Sequence, residues 1–158
     1  MRPARSAITA FGVDGRLAAR QGDKRNYANL TWRHEPAADS ILLTTPLGQG
    51  VAELVRDARG ARLVTADRQT VEAADWEGLS AEVFGFSLPL SALPRWLVGE
   101  VAATERDSLG RPRQAFAEGW DIRYLDYESP AADALPILVE FRRDDIELRF
   151  KVDEWRLD

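Results

Sequence analysis

The chain has 158 residues, of which 45% are hydrophobic and 30% are charged, and its net charge is −5. This composition predicts one globular domain with a core of its own. The acidic balance argues against a nucleic-acid binder, and the absence of cysteine excludes disulfides and thiolate metal sites. Neither a signal peptide nor a membrane-spanning helix is indicated by the apolar pattern.

The first half of the chain alternates apolar and polar residues at the period of β-strands. The strand-like segments are 11–20, 26–34, 41–45, 51–57, 61–66 and 69–73. Short strands at this spacing are typical of an antiparallel meander. Pro46 and Gly48 mark a turn between two of them, so Leu47 is predicted to lie exposed on a loop. Single exposed apolar residues are common, and the pattern alone assigns Leu47 no function.

The apolar residues of the 74–100 stretch recur at helical spacing instead. We expect one helix near 75–85 and a second near 91–98. The predicted boundary residues are Asp75 and Gly85 for the first helix, and Ser91 and Gly99 for the second.

After a polar stretch at 102–113, predicted to be a loop, the strand pattern returns at 119–127, 136–141 and 146–152. Strands, then helices, then strands predict an α+β domain. We expect a single curved antiparallel sheet, an incomplete barrel, with the helices covering its concave face. Such a sheet would enclose an apolar space.

The search for catalytic chemistry finds little. His34 is the only histidine, and neither a nucleophile elbow nor a phosphate-binding loop occurs. Asp144 and Asp145 are adjacent carboxylates that we interpret as a solvated hairpin tip. The sequence therefore predicts no enzyme, no metal site and no cofactor, although a hydrolase using scattered carboxylates is a third interpretation, which would need an acid–base pair in a pocket.

The tryptophans give a stronger signal, because there are five of them in 158 residues. A bulky core explains them most simply, and a cavity for apolar cargo is the functional alternative. The residues expected to line that cavity are Leu30, Trp32, Trp96, Trp120, Tyr124, Leu148 and Phe150. Trp155 is expected to be structural.

Four segments, in this order along the chain, resemble the LolB family. They are LTWRHEPAADSILLTTPLGQGVAELV, GFSLPLSALPRWLVG, GWDIRYLDY and LRFKVDEWRL. The resemblance runs from about Phe11 to Leu157, and the P-L-G loop together with the L-P-x-x-x-L-x-x-W-L-x-G helix is specific. It implies a LolB-like lipoprotein-binding domain at 11–158, preceded by a short N-terminal remnant at 1–10.

The resemblance also implies a function. LolB-like proteins take triacylated lipoproteins from the periplasmic carrier LolA and insert them into the inner leaflet of the outer membrane, without nucleotide or cofactor. In this sequence Pro46, Leu47 and Gly48 correspond to the family's membrane-delivery loop. We expect a monomer that binds acyl chains and touches outer-membrane lipid; the rival is a lipocalin-like binder of a small apolar ligand.

One departure concerns the N-terminus. Family members begin with a lipid-modified cysteine that follows a signal peptide, whereas this chain has no cysteine. We expect the native protein to be lipid-anchored on the periplasmic side of the outer membrane and this chain to be a trimmed form. A natural variant without an anchor is the alternative.

Overall fold

A computed structural model of the protein describes residues 2–45, 50–84 and 86–157. The predicted delivery loop, Pro46, Leu47 and Gly48, lies outside the described residues, as does the predicted helix end at Gly85. Within the described part of the chain, no helix has the length and apolar character needed to cross a membrane.

The described residues form eleven strands and two α-helices, and a short 3₁₀-helix precedes them at Arg5–Ala7. The strands are β1 (Phe11–Gln21), β2 (Lys24–Glu35), β3 (Ala38–Thr44), β4 (Gly50–Asp57), β5 (Gly60–Thr65), β6 (Thr70–Ala73), β7 (Ala103–Arg106), β8 (Pro112–Ala117), β9 (Trp120–Tyr127), β10 (Pro136–Arg143) and β11 (Ile146–Leu157). The helices are α1 (Trp76–Phe84) and α2 (Leu93–Leu97), and α1 lies against β5 and β6.

All eleven strands belong to one sheet, in the order β6-β5-β4-β3-β2-β1-β11-β10-β9-β8-β7. Every neighbouring pair is antiparallel, so the predicted single antiparallel sheet is confirmed. The sheet is an open half-barrel whose two edges are β6 and β7. The first and last strands pair with each other near its middle, which joins the two halves of the chain.

The two faces of the sheet differ because apolar and polar residues alternate along each strand. In β11, Ile146, Leu148 and Phe150 are buried, while Arg149 and Lys151 are exposed. We call the face that carries the buried set the inner face and the opposite one the outer face.

A bulge in β11 adjusts this alternation near the C-terminus. The pairing with β1 shifts between Asp14 and Gly15, so that Trp155 lies opposite Val13. One extra residue moves the following side chains to the other face, and Trp155 is therefore buried. Its indole nitrogen donates to the carbonyl of Pro136 at 2.8 Å.

The helix ends confirm two of the predicted boundaries. The backbone nitrogen of Gly78 donates to the Asp75 carboxylate at 2.6 Å, as expected of an N-cap. At the end of α2, Gly99 has φ +87°, and its nitrogen donates to the carbonyl of Trp96 at 3.0 Å. The backbone nitrogen of Glu100 donates to the carbonyl of Arg95 at 2.8 Å, which completes a Schellman motif.

Two predictions in this region are wrong. Ser91 does not cap α2: Ala92 occupies the N-cap position without a side-chain bond, because a preceding backbone turn bonds the nitrogen of Leu93 to the carbonyl of Pro89 at 3.0 Å. The predicted loop at 102–113 contains β7 and the start of β8. Three of the four residues of β7 are exposed, so this edge strand has little apolar alternation to detect.

Candidate apolar binding site

The described residues enclose a small apolar cavity on the inner face of the sheet, with a volume of about 50 Å³. Its wall consists only of leucine, isoleucine, phenylalanine and tryptophan. The lining residues are Leu17, Leu30, Trp32, Ile41, Leu43, Leu54, Leu88, Leu90, Leu93, Leu97, Phe141, Leu148 and Phe150. Strands β1–β4, β10 and β11 supply one side of the wall, and residues from 88 to 97 supply the other.

Four of the seven residues predicted from the sequence lie at this wall. Leu30 and Trp32 come from β2, and Leu148 and Phe150 come from β11. They share the inner face because the strand period places alternate residues on the same side. The register connects them through β1: Leu17 is opposite Phe150 on one side and Ala28 on the other.

The other three predicted residues are buried but are not among those that line this closed cavity, so their contact with acyl chains stays a prediction. Trp96 packs against Phe141 with ring centres 6.3 Å apart. The hydroxyl of Tyr124 donates to the carbonyl of Trp96 at 2.5 Å, and burial raises the pKa of Tyr124. Trp120 lies under the guanidinium of Arg143, 4.5 Å from its ring centre. Trp120 and Tyr124 are alternate buried residues of β9, and Trp96 belongs to the buried face of α2.

Sequence reasoning missed the contribution of Leu88 and Leu90, which precede α2 and line the cavity with Leu93 and Leu97. We call residues 86–98 the leucine segment. The sequence SLPLSALP, residues 87–94, is a short apolar run that could have indicated these two residues. Its prolines weaken a helix prediction, so the helical period does not extend to Leu88 and Leu90.

Side-chain hydrogen bonds hold the start of the leucine segment. The fully buried hydroxyl of Ser80 donates to the carbonyl of Glu77 at 2.6 Å and accepts from the nitrogen of Leu88 at 2.7 Å. The carboxylate of Glu77 in turn accepts from the nitrogen of Ser91 at 3.1 Å. Helix α1 is thus bonded to the segment at two points.

The end of the segment is bonded to the N-terminal residues and the sheet. The guanidinium of Arg5 donates to the carbonyl of Val98 at 2.9 Å and also reaches the carbonyl of Ala132 at 3.3 Å. On the sheet side the Tyr124 hydroxyl holds Trp96. Neither bond belongs to the β-ladders that hold the strand side of the cavity.

A buried carboxylate fixes Trp32 in the wall. Asp39 accepts from the indole nitrogen of Trp32 at 2.9 Å and lies 2.6 Å from the Nδ1 of His34 with the same oxygen. Its other oxygen accepts from Arg56 at 2.7 Å. Trp32 also packs edge-on against Phe11, with ring centres 6.1 Å apart. No sequence pattern indicates a role for Asp39, because a carboxylate at an inner-face strand position breaks the apolar alternation.

The site therefore presents apolar atoms and no reactive group to a ligand. Among the described residues, no three His, Asp or Glu side chains are grouped so that they would hold a metal ion. An apolar wall binds by removing hydrocarbon from water, so the arrangement suits acyl chains or other apolar groups.

An open half-barrel sheet with an all-apolar cavity on its inner face is the architecture of this site. The family model "Outer membrane lipoprotein LolB" matches residues 9–155. The chain belongs to this family.

Relatives agree with this assignment, and a solved structure shares the fold. The chain is 34% identical to the outer-membrane lipoprotein LolB of Azoarcus sp., covering 97% of this chain and 81% of the relative. It is 36% identical to that of Nitrosomonas europaea, covering 92% and 72%. A LolA superfamily protein from Nitrosomonas europaea has the same fold, with a TM-score of 0.56 at 8% identity over 96% of this chain and 87% of that one.

Proposed function

We propose that this protein receives triacylated lipoproteins from a LolA-type carrier and inserts them into the inner leaflet of the outer membrane. The observation that carries the proposal is the cavity wall, in which all 13 lining residues are apolar. Binding by burial requires no nucleotide, cofactor or catalytic residue. On this proposal the native protein acts as a monomer, lipid-anchored on the periplasmic side of the outer membrane.

The free-energy cost of exposing acyl chains to water determines how the cargo passes between proteins. Burial of one methylene is worth about 0.8 kcal/mol, so three acyl chains in water would cost tens of kcal/mol. The chains must therefore pass directly from one apolar site to the next. The direction of transfer follows if the receiver binds more tightly than the carrier and the bilayer binds more tightly still.

The cavity has to open before it holds such cargo. Its volume is about 50 Å³, whereas a single water molecule occupies about 30 Å³ of the liquid. We propose that α1 and the leucine segment cover the concave face of the sheet in this closed state. The leucine segment then moves outward, because a few side-chain bonds hold it and strand ladders hold the opposite wall.

Within the open cavity, Leu30, Trp32, Leu148 and Phe150 contact the acyl chains as the fixed wall. Tyr124 has a structural role, because its hydroxyl donates a hydrogen bond to the carbonyl of Trp96 in α2. The opening movement breaks this bond. The same holds for Trp96 as the acceptor of that bond.

Leu47 is proposed to act in delivery. Burial of one leucine is worth about 1.5–3 kcal/mol, too little to anchor a protein, since even one myristoyl chain binds a membrane only marginally. A transient contact with the bilayer is sufficient, however, to connect the cavity to the membrane. Pro46 and Gly48 flank Leu47 in this role.

The test is a two-stage transfer assay. Carrier-bound lipoprotein is mixed first with the protein and then with liposomes, and each stage is scored separately. Leu47→Glu is expected to accept cargo at the parent rate and to fail in delivery, because a carboxylate resists entering hydrocarbon. The matched control is Leu109→Glu, since Leu109 is 42% exposed in the turn between β7 and β8.

Failure of the parent to accept cargo from the carrier would overturn the proposed function. Delivery by Leu47→Glu at the parent rate would remove Leu47 from it. The small closed volume favours a second candidate, a lipocalin-like binder of a small apolar ligand. That candidate gains support if a small apolar dye binds tightly while lipoprotein transfer is absent.

A further inference from the structure

The outer face of the sheet carries a basic surface that the proposed function does not use. Two depressions of about 510 and 310 Å³ meet on this face at Tyr27 and share Ala18 and Arg149. Their cationic side chains come from β1, β2, β10 and β11. We call these six residues the basic face: Arg16, Arg20, Arg25, Arg142, Arg149 and Lys151.

The charge of the basic face is opposite to that of the whole protein. Only two carboxylates, Glu140 and Glu147, line the same depressions, which leaves six cations against two anions and a local charge of +4. The whole chain has a net charge of −5. At the rim, Asp153 pairs with Arg16 at 3.0 Å. The chemistry of this surface therefore fits an anionic partner.

The cations of the basic face retain capacity for a ligand. Arg20 and Arg142 each reach Glu147 through one terminal nitrogen, at 2.6 and 3.4 Å. A guanidinium has five N–H donors and matches a phosphate bidentately. The side chains of Arg25 and Lys151 make no hydrogen bond or ion pair within the described residues.

Aromatic side chains lie beside these cations at the same end of the sheet. A row of paired residues crosses the sheet at this end and spans five strand pairs. In order of pairing, its members are Arg25, Arg20, Glu147, Arg142, Asp121 and Phe116. Phe116 is 60% exposed, and Tyr27, two residues along β2 from Arg25, is 61% exposed. Exposed aromatic rings with arginine and lysine are typical of membrane–water interfaces.

The row lies at the sheet end from which the proposed delivery loop extends. Asn29 pairs with Thr44, the last residue of β3, so residues 24–28 of β2 continue beyond β3 in the direction of that loop. A membrane reached by the loop would meet this end of the outer face. On the proposed function this end of the sheet, where β3 ends and β4 begins, faces the membrane, which favours a lipid surface over an acidic protein or a second copy of the chain.

We propose that the basic face binds the anionic headgroups of a phospholipid membrane, with Tyr27 and Phe116 at the headgroup level. The site would orient the half-barrel while cargo leaves the cavity, and in this respect it rests on the proposed function. The phosphate groups of the lipid are the ligands, and Arg25 and Lys151 are the cations free to bind them first.

The experiment measures partition of the full chain onto two kinds of vesicle. One contains phosphatidylethanolamine with phosphatidylglycerol, and the other contains only neutral phosphatidylcholine. The double variant Arg25→Gln, Lys151→Gln is expected to bind the anionic vesicles about 25-fold more weakly, about fivefold for each cation, with no change on neutral vesicles. The matched control is Arg59→Gln, Arg113→Gln, which removes the same charge from exposed positions outside the basic face and is expected to change binding by less than about twofold.

Three outcomes overturn the inference: parent-like binding by the double variant, an equal loss in the control, and preference of the parent for poly-glutamate over anionic vesicles. Self-association that depends on Arg25 and Lys151 would also overturn it and identify a second copy as the occupant. Uptake of an apolar dye by the cavity is measured in parallel. If the parent binds anionic vesicles but takes up no dye, the result contradicts only the proposed function. If the parent takes up dye but does not bind anionic vesicles, the result contradicts only the inference.

Discussion

The two sides of the cavity wall are held in different ways. On the strand side, residues such as Leu54 and Phe150 belong to strands paired on both sides, so their backbone bonds are part of a continuous ladder. On the other side, the leucine segment depends on bonds from Ser80, Arg5 and Tyr124. The difference indicates a fixed wall opposite a movable one. Substitutions on the two sides should therefore affect stability and ligand uptake differently.

The largest effect is expected on the fixed side, at Trp155. Trp155→Ala removes a buried ring that packs against Phe11 at 5.1 Å and should lower the free energy of unfolding by about 3–5 kcal/mol. Urea denaturation measures this loss, and dye uptake by the remaining folded protein should not change. Trp155→Phe is the matched variant and should lose about 1 kcal/mol, the hydrogen bond to Pro136. A loss of dye uptake by folded Trp155→Ala would contradict the division into two sides.

A smaller loss of stability, with a gain in uptake, is expected at Ser80. Ser80→Ala leaves the buried nitrogen of Leu88 without its side-chain acceptor and should cost about 1–3 kcal/mol. Hydrogen exchange of the Leu88 amide should become faster, and dye uptake should accelerate. Ser91→Ala is the control, because Ser91 is exposed and bonds to Glu77 through its backbone. If hydrogen exchange of the Leu88 amide did not change, the result would contradict the proposal that Ser80 holds the leucine segment closed.

Arg5 is expected to have a weaker effect of the same kind. Arg5→Gln removes the bond to Val98 and should cost about 1 kcal/mol while dye uptake becomes faster. Arg2→Gln is the control, since Arg2 bonds to Glu128 rather than to the leucine segment. Equal acceleration by both variants would attribute the effect to a general loosening of the N-terminus.

The smallest expected effect appears at high pH on the fixed side. Burial raises the pKa of Tyr127 to about 12 from 10.0, and its hydroxyl donates to the carbonyl of Pro112 at 2.5 Å. Because the folded pKa is the higher one, the stabilisation is complete below pH 10 and is lost as the pH rises through about 12. Tyr127→Phe should show a smaller decrease in stability over that range, as measured by denaturation at several alkaline pH values. An identical decrease in the parent and the variant would contradict the assignment.

The inner face was predictable wherever a strand has neighbours on both sides. Alternation in β2 and β11 correctly placed Leu30, Trp32, Leu148 and Phe150 on one face, because a residue on that face must be apolar to be buried. The edge strand β7 was not predictable, since three of its four residues are exposed and no alternation is required of them.

The position of a residue within the face was also not predictable. Trp96, Trp120 and Tyr124 are buried but are not among the residues that line the cavity, because lining depends on register and on the course of the leucine segment. Asp39 shows the converse case. Its carboxylate is stabilised inside the protein by three side chains from the two strands beside β3, and a sequence pattern does not reveal that Trp32, His34 and Arg56 converge on it.

The pairing of β1 with β11 has a consequence for the synthesis of the chain. Phe11 is opposite Leu157, so the strand that joins the two halves of the sheet is the last of the eleven in chain order. Pairing between such distant segments closes a long loop and is slow to form. Until that strand arrives, β1 has an open edge, and the growing protein consists of two separate antiparallel sheets. A nascent chain stalled before residue 146 would therefore expose β1 to proteases and to pairing with other chains.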